Sequence, residues 1–212
     1  MSVTIEYEGK SETVSLSLFD EACLEEYCRI ETLEDKDEQE RRYELLEDIQ
    51  RACGAYYDHI REYEFGLHYK KLEKRGIVLT PIVPAHVSKM KTKWSRLFAS
   101  ALSKREKEEI HYDEFRWHIF SYDRVACLVG DEARSAFDAC KKTRVFQFFQ
   151  HDNSGFCIDN AMLLKAADFD YENTPTKADT YILDAAGRWT YVRTHEESCG
   201  PYFCYKNGQQ IE

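Results

Sequence analysis

The C-terminal segment 179–196 carries the strongest strand signal in the chain and most constrains its fold. Two runs of β-branched and aromatic residues, 180–183 and 189–194, flank a short turn at 184–187. Such residues favour pleated strands, and the glycine that closes the turn suits a positive φ angle. The segment therefore predicts a β-hairpin, after which residues 199–205 turn back into the core.

Two more strands are predicted before this hairpin. Residues 145–150 and 156–160 are mostly apolar and are joined by a short polar turn, which predicts an antiparallel pair. A longer segment with a short helix separates the second of these strands from the strand at 180–184. A connection of that length favours a crossover between parallel strands.

The directions of these four strands decide which polar residues meet. If the second and third strands are parallel, the first strand also runs in the same direction as the fourth, at 188–194. His151-Asp152 follows the first strand, and His195-Glu196 follows the fourth. The sequence therefore predicts that these four residues lie at one edge of the sheet.

The N-terminal part of the chain has a different pattern. Alternating apolar and polar residues over 2–17 predict a hairpin. Residues 35–75 are highly charged, with apolar side chains at three- and four-residue steps, which predicts a long helix that is either continuous or interrupted near Gly54 or Gly66. Two prolines exclude a helix from 77–85, which we interpret as an extended connector.

These elements predict an α+β fold. We expect a mostly antiparallel sheet of about four C-terminal strands packed by helices, together with an N-terminal hairpin and long acidic helices. The predicted organisation is a hairpin and helical part at 1–76, a connector at 77–85 and an α+β domain at 86–212.

Composition limits the possible partners and the compartment. The net charge of −10 and the pI near 5.3 make nucleic acid an unlikely partner, because its binding sites are basic. No apolar run is long enough for a membrane span, and the N-terminus lacks the pattern of a signal peptide. The eight cysteines lack the spacing of a strong zinc motif and are expected to be reduced. These features predict a cytoplasmic protein that binds no cofactor.

Polar residues near the predicted strand ends are the candidates for catalysis. Imidazole and carboxylate groups that converge can transfer protons or bind a metal ion. The alternative is that they only cap turns and hold loops by hydrogen bonds. The catalytic candidates are His118, His151, Asp152, His195 and Glu196, and the metal alternative uses His151, His195 and Glu196.

Other sequence signals for chemistry are weak. No nucleotide-binding motif and no nucleophile elbow is present. Cys199 follows His195-Glu196 closely, so a reactive thiol is a further hypothesis.

Acidic side chains near the start of the long helix are candidates for binding a basic protein. Trp189, next to the hairpin turn, is a candidate for a contact surface, because tryptophan is enriched in the centres of interfaces. The complete predicted partner-binding set is Glu34, Asp35, Glu38, Glu44, Glu47, Asp48 and Trp189.

Several segments of the chain resemble a known family. They are Phe-Arg-Trp-His-Ile-Phe-Ser-Tyr at 115–122, Gly-Asp-Glu-Ala-Arg-Ser-Ala-Phe at 130–137, Phe-Phe-Gln-His at 148–151, Tyr-Val-Arg-Thr-His-Glu at 191–196 and Gly-Pro-Tyr-Phe at 200–203. Through them, residues 90–205 resemble a Firmicute family of small cytosolic proteins catalogued as a domain of unknown function. That resemblance implies no reaction and no functional residue. The hairpin is also similar, as an analogy only, to hairpins of immunity-type proteins that neutralise toxins.

We therefore expect a non-enzymatic binding protein of the immunity or defence-counteracting kind, which covers its partner with an acidic, aromatic-rich surface. The alternative is a metal-dependent or acid–base enzyme that uses His151, His195 and Glu196. A third hypothesis is a scaffold without activity that forms homo-oligomers through the helices at 36–75.

Overall fold

A computed structural model describes residues 2–7, 10–15, 19–174 and 176–206. The chain divides into two units, Met1–Tyr63 and Glu64–Glu212. One long helix contributes its first part to the N-terminal unit and its last part to the C-terminal unit.

The N-terminal unit contains the predicted hairpin and two helices. Strands β1 (Ser2–Tyr7) and β2 (Lys10–Ser15) pair antiparallel, whereas the predicted turn at 8–9 and the predicted end of the hairpin at 16–17 lie outside the described residues. Helix α1 spans Phe19–Glu31, and α2 spans Lys36–Lys74. The prediction allowed a break in the long helix, but α2 runs without one. A small core joins the two helices, formed by Cys23, Ile30, Leu46 and Cys53.

The C-terminal unit has a seven-stranded antiparallel sheet. Its helices are α3 (Pro84–Phe98), α4 (Lys104–Glu109), α5 (His118–Ser121) and α6 (Gly130–Ala139), with 3-10 helices at Ala161–Leu163 and Ala166–Phe169. Its strands are β3 (Val78–Pro81), β4 (Leu128–Val129), β5 (Arg144–Phe149), β6 (Gly155–Asp159), β7 (Thr180–Asp184), β8 (Trp189–Arg193) and β9 (Tyr202–Tyr205).

The strand order corrects two predictions. The order is β3-β6-β5-β7-β8-β9-β4, so the sheet has seven strands rather than about four. Strands β6 and β7 are not neighbours, because β5 lies between them and pairs antiparallel with both. The predicted parallel crossover pair is therefore wrong. The predicted directions are nevertheless confirmed, since β6 and β7 point the same way, and so do β5 and β8.

Both faces of the sheet are covered by helices. Alternate residues of β7 point to opposite sides: Tyr181 and Leu183 pack toward α3, and Ile182 packs toward α6. Trp94 of α3 is fully buried, and its indole N–H donates to Thr190 Oγ1 at 2.8 Å. Strands with both faces covered read as nearly continuous apolar runs, which is why the hairpin signal is so strong.

A buried arginine holds the loop that leads into β7. Arg193 on β8 is almost fully buried and stacks on the Tyr171 ring. Its guanidinium donates to the backbone carbonyls of Phe169 and Thr176. These bonds satisfy the buried cation and fix the chain just before Asp179.

We predict that Gly187→Ala destabilises the C-terminal unit by about 2 kcal/mol. Gly187 closes the turn between β7 and β8 with φ at +75°, and a Cβ there would lie 2.8 Å from Leu97 Cδ1. The matched control is Gly66→Ala in α2, where the added Cβ meets nothing within 4 Å. The control should raise the free energy of unfolding by about 0.5–1 kcal/mol. Chemical denaturation measures the stability of both variants. Equal effects of the two variants would contradict the prediction.

We also predict that acid weakens the fold through His68, which is buried near the end of α2. Burial lowers the pKa of His68, and a hydrogen bond to the Asn173 backbone opposes this in part. The unfolded chain therefore takes up the proton first as the pH falls. The stability contributed by His68 is complete above pH 6.5 and is lost below it.

His68→Gln should accordingly lose less stability than the wild type when denaturation is compared above and below that pH. The control His86→Gln, at an exposed position, should follow the wild type. An identical pH dependence in His68→Gln and the wild type would contradict this account.

Candidate functional site

Three histidines meet at the edge of the sheet where β5 and β8 end. Their imidazole rings surround the Phe115 ring, with centroid distances of 5.1 Å for His118, 5.8 Å for His151 and 5.0 Å for His195. Trp117 packs edge-on against His118 at 4.5 Å. The prediction that His151 and His195 lie at the same edge is confirmed, and His118 joins them from the first position of α5.

A buried carboxylate orients one of these rings. Asp179 lies immediately before β7, and its side chain is only 2% exposed. One oxygen, Oδ1, accepts hydrogen bonds from the His195 backbone N–H at 2.6 Å and from the His195 Nδ1 at 2.9 Å. Because an ionised carboxylate can only accept, Nδ1 must carry the proton. The His195 Nε2 then holds a lone pair whenever the ring is neutral.

The remaining face of His195 is open to solvent. The side chain is 37% exposed, and Nε2 lies 3.7 Å from the Glu196 Oε1. This geometry places an oriented imidazole beside an exposed carboxylate. The imidazole can accept a proton from a bound molecule at Nε2 and later return it.

The other candidates have mainly structural contacts. His118 Nδ1 lies 2.6 Å from the Ile110 carbonyl, so that nitrogen donates and its ring is held in place. The Asp152 carboxylate accepts the Ser154 N–H at 2.8 Å, which closes a local turn. Asp152 therefore shapes the loop after β5, and no direct contact joins its carboxylate to His195.

The predicted metal ligands do not form a preassembled cluster in the described part of the chain. No group of three or more His, Cys, Asp or Glu side chains in the described part of the chain could hold a metal ion. His195 Nδ1 donates to Asp179, so Nε2 is the ring nitrogen that remains for a ligand, and His151 contacts the Phe115 ring. The metal-dependent alternative with His151, His195 and Glu196 stays an untested hypothesis.

Cys199 does not have the environment of a nucleophile. Burial raises the pKa of the Cys199 thiol, and a hydrogen bond to the Glu196 carboxylate raises it further. A raised pKa disfavours the thiolate, which is the reactive form of cysteine. The reactive-thiol hypothesis stays untested.

The predicted partner-binding set divides into one buried residue and six accessible ones. Trp189 is buried, stacks on Phe203 at 5.4 Å and meets Phe137 edge-on, so the prediction that it forms a contact surface is wrong. Residues of strand β9 and helix α6 cover Trp189, and the sequence of the hairpin alone does not predict either contact. Within the N-terminal unit, the acidic members are exposed or half-buried: Glu34, Asp35, Glu38, Glu44, Glu47 and Asp48.

Three of these acidic side chains have local roles. Asp35 caps the start of α2 by accepting from the backbone N–H groups of Asp37 and Glu38. Glu38 pairs with Arg42 at 2.7 Å, and Asp48 pairs with Arg51 at 2.8 Å. Surface pairs of this kind stabilise a helix only slightly.

Comparison with protein families matches residues 66–203 to the domain of unknown function DUF4275. The chain belongs to the DUF4275 family. The matched segment contains every strand of the large sheet, apart from the last two residues of β9, and it includes the Phe115 ring cluster and Asp179. No characterised protein and no solved structure matches the chain.

The predicted resemblance to a family of unknown function is therefore confirmed in its coarser part, although the match begins earlier than residue 90. Within the described residues, no helix is long and apolar enough to cross a membrane.

Proposed function

We propose that the DUF4275 domain of this chain catalyses proton transfer at His195. The observation that carries the proposal is the pairing of His195 with Asp179, a buried carboxylate that accepts from both the ring and the backbone of the same residue. A base needs one proton-accepting atom aimed outward in a fixed orientation, and Nε2 of a ring held through Nδ1 meets that need.

The surroundings of His195 support the same role. Phe115 and Trp117 pack against the ring at 5.0 and 5.9 Å and limit its movement. Asp179 accepts the Nδ1 proton of the ring, which keeps the ring in one orientation while Nε2 gains or loses a proton. His151, which packs edge-on against the same Phe115 ring at 5.8 Å, offers a second imidazole for a bound substrate.

The test is a screen for turnover with ester, amide, glycoside and phosphate-ester substrates. We expect His195→Gln to reduce any activity found by about 100-fold or more, because general acid–base groups contribute at least that much. His86→Gln, exposed and outside the cluster, is the matched control and should retain activity. An activity that survives His195→Gln would refute the assignment of His195.

A second candidate function is the binding of a basic protein, as a cytoplasmic inhibitor of the immunity kind. Between residues 31 and 48 the chain has nine acidic and three basic side chains. In the described residues, Glu34, Glu44 and Glu47 are exposed and form no hydrogen bond or ion pair. Leu45, beside Glu44, is also exposed and could provide an apolar contact.

Double charge reversal at Glu44 and Glu47 tests this second function. A basic partner that co-purifies with the wild type should associate more slowly with the variant, and the difference should shrink at high salt. Neutralising Asp58, which is paired with Arg61, is the control. Unchanged association after charge reversal would refute the acidic surface.

A further inference from the structure

A polar cleft of about 360 Å³ lies along α3 and has no role in the account above. Its lining residues are Ser88, Lys91, Thr92, Ser95 and Arg116. The four residues from α3 follow three- and four-residue spacing and so form one face of the helix. Two lining side chains are cationic and none is acidic, which is unusual for a chain with a net charge of −10.

Lys91 is fixed at the side of this cleft. Its ammonium donates to the carbonyls of Gln150 at 3.0 Å and Asp152 at 2.7 Å. An ammonium has three N–H donors, so one remains for a ligand. Burial and the neighbouring Arg116 cation lower the pKa of Lys91, and the Asp152 carboxylate partly offsets this. An anion bound in the cleft would relieve the repulsion between the two cations.

Arg116 is half-buried, and its guanidinium lines the cleft without an acidic partner among the described residues. Its backbone N–H lies 3.4 Å from the Gln150 Oε1, but its buried side-chain Nε has no hydrogen-bond partner in the described residues. Neither Lys91 nor Arg116 forms an ion pair with any described carboxylate. Because Nε is shielded from solvent, a molecule bound in the cleft would meet the part of the Arg116 side chain that lines it.

The hydroxyl groups contribute shape rather than charge recognition. Thr92 donates to the Ser88 carbonyl at 3.0 Å, and Ser95 donates to the Lys91 carbonyl at 3.0 Å while accepting from the Tyr112 hydroxyl at 2.7 Å. The hydroxyl protons of Thr92 and Ser95 are already donated within the helix. Recognition of charge therefore falls to Lys91 and Arg116.

We propose that this cleft binds the phosphate group of a small molecule through Lys91 and Arg116. Phosphate fits better than carboxylate, because two unneutralised cations match a charge between −1.5 and −2 rather than −1. Arginine can bind two of its oxygens through the guanidinium fork, and lysine adds a point charge. The volume lies within the range of small-molecule sites. This inference does not depend on proton transfer at His195.

The test titrates the full chain with inorganic phosphate, followed by NMR chemical-shift changes at constant ionic strength. We expect saturable shifts along α3 and at 115–117, and Arg116→Gln should weaken binding by about tenfold. Arg96→Gln, on the same helix but outside the cleft, is the matched control and should bind as the wild type does. His195→Gln should also bind normally, which separates this inference from the proposed function.

Three results would overturn the proposal. They are the absence of saturable binding by the wild type, equal binding by a folded Arg116→Gln variant, and acetate binding as tight as phosphate binding. Thermal unfolding of each variant shows whether Arg116→Gln is folded, and Lys91→Met gives an independent second substitution at the same site. Weakened binding in both variants supports the proposal.

Discussion

Replacing Trp94 with alanine is expected to destabilise the C-terminal unit by about 3–5 kcal/mol. Trp94 is the fully buried centre of the core between α3 and the sheet. Its ring meets Phe98, Phe120 and Tyr181 at 5.5, 6.0 and 5.2 Å. Alanine would leave a cavity that these rings cannot fill. Since domains are stable by only about 5–15 kcal/mol, the variant should be close to unfolding at moderate temperature.

The hydrogen bond of the Trp94 indole N–H also stabilises this core, and a second variant measures its contribution separately. It donates to Thr190 Oγ1, which itself donates to the Ile182 carbonyl at 3.0 Å. Trp94→Phe keeps most of the apolar volume but removes the donor, so we expect a smaller loss of about 1–2 kcal/mol. Chemical denaturation followed by near-UV circular dichroism measures both variants. A loss below about 1 kcal/mol for Trp94→Ala would contradict this packing.

Replacing Asp179 with alanine is expected to destabilise the same unit by about 2–4 kcal/mol. The carboxylate is buried and accepts two hydrogen bonds, one from the backbone N–H of His195 and one from its ring. Water can replace part of the ring bond, because His195 is half exposed, but it cannot easily reach the backbone N–H beside the buried site. The His195 ring should also lose its fixed orientation.

Two controls separate these effects. Asp179→Asn keeps an acceptor oxygen and should destabilise less than alanine, although it replaces charge-assisted hydrogen bonds with neutral ones. Glu196→Gln changes an exposed carboxylate near Nε2 and should alter stability by less than about 0.5 kcal/mol. Denaturation curves in urea compare all three. If Asp179→Ala and Glu196→Gln lowered the free energy of unfolding equally, the buried hydrogen bonds of Asp179 would not stabilise the unit as we expect.

The β7–β8 hairpin was predictable from the sequence, and so was the sheet edge at which β5 and β8 both end. Apolar runs at 180–183 and 189–194 gave β7 and β8, because strands buried on both faces need such residues. The directions of β5 and β8 were also predictable, and they bring His151 and His195 to one edge. The order of the strands could not be predicted. A connection of a given length can join two neighbouring strands, or it can join two strands that have a third strand between them.

Asp179 was missed although a signal for it exists. The carboxylate precedes a buried strand, where an acidic residue is usually a turn former. The hairpin pairs Thr180 with Arg193, so extending that register by one residue places Asp179 opposite Thr194, beside His195. Register arguments can therefore detect a buried acid next to a histidine when the turn is known.

The edge strands and the cleft were beyond sequence reasoning for physical reasons. Strand β3 contains Pro81, which reads as a connector but is tolerated at the edge of a sheet. Strand β9 covers Trp189, and this contact depends on strand order. Lys91 and Arg116 are separated along the chain and meet only after α3 packs on the sheet.

The central claim is that Asp179 fixes the His195 ring with Nε2 free to accept a proton. Long-range nitrogen–proton NMR correlation of the histidine side chains tests it most directly, with His195→Gln used to assign the signals. In the neutral ring we predict a protonated Nδ1 and an unprotonated Nε2 for His195, and a mixture of both tautomers in Asp179→Ala. A protonated Nε2 in the neutral wild-type ring, or an unchanged tautomer in Asp179→Ala, would contradict the account.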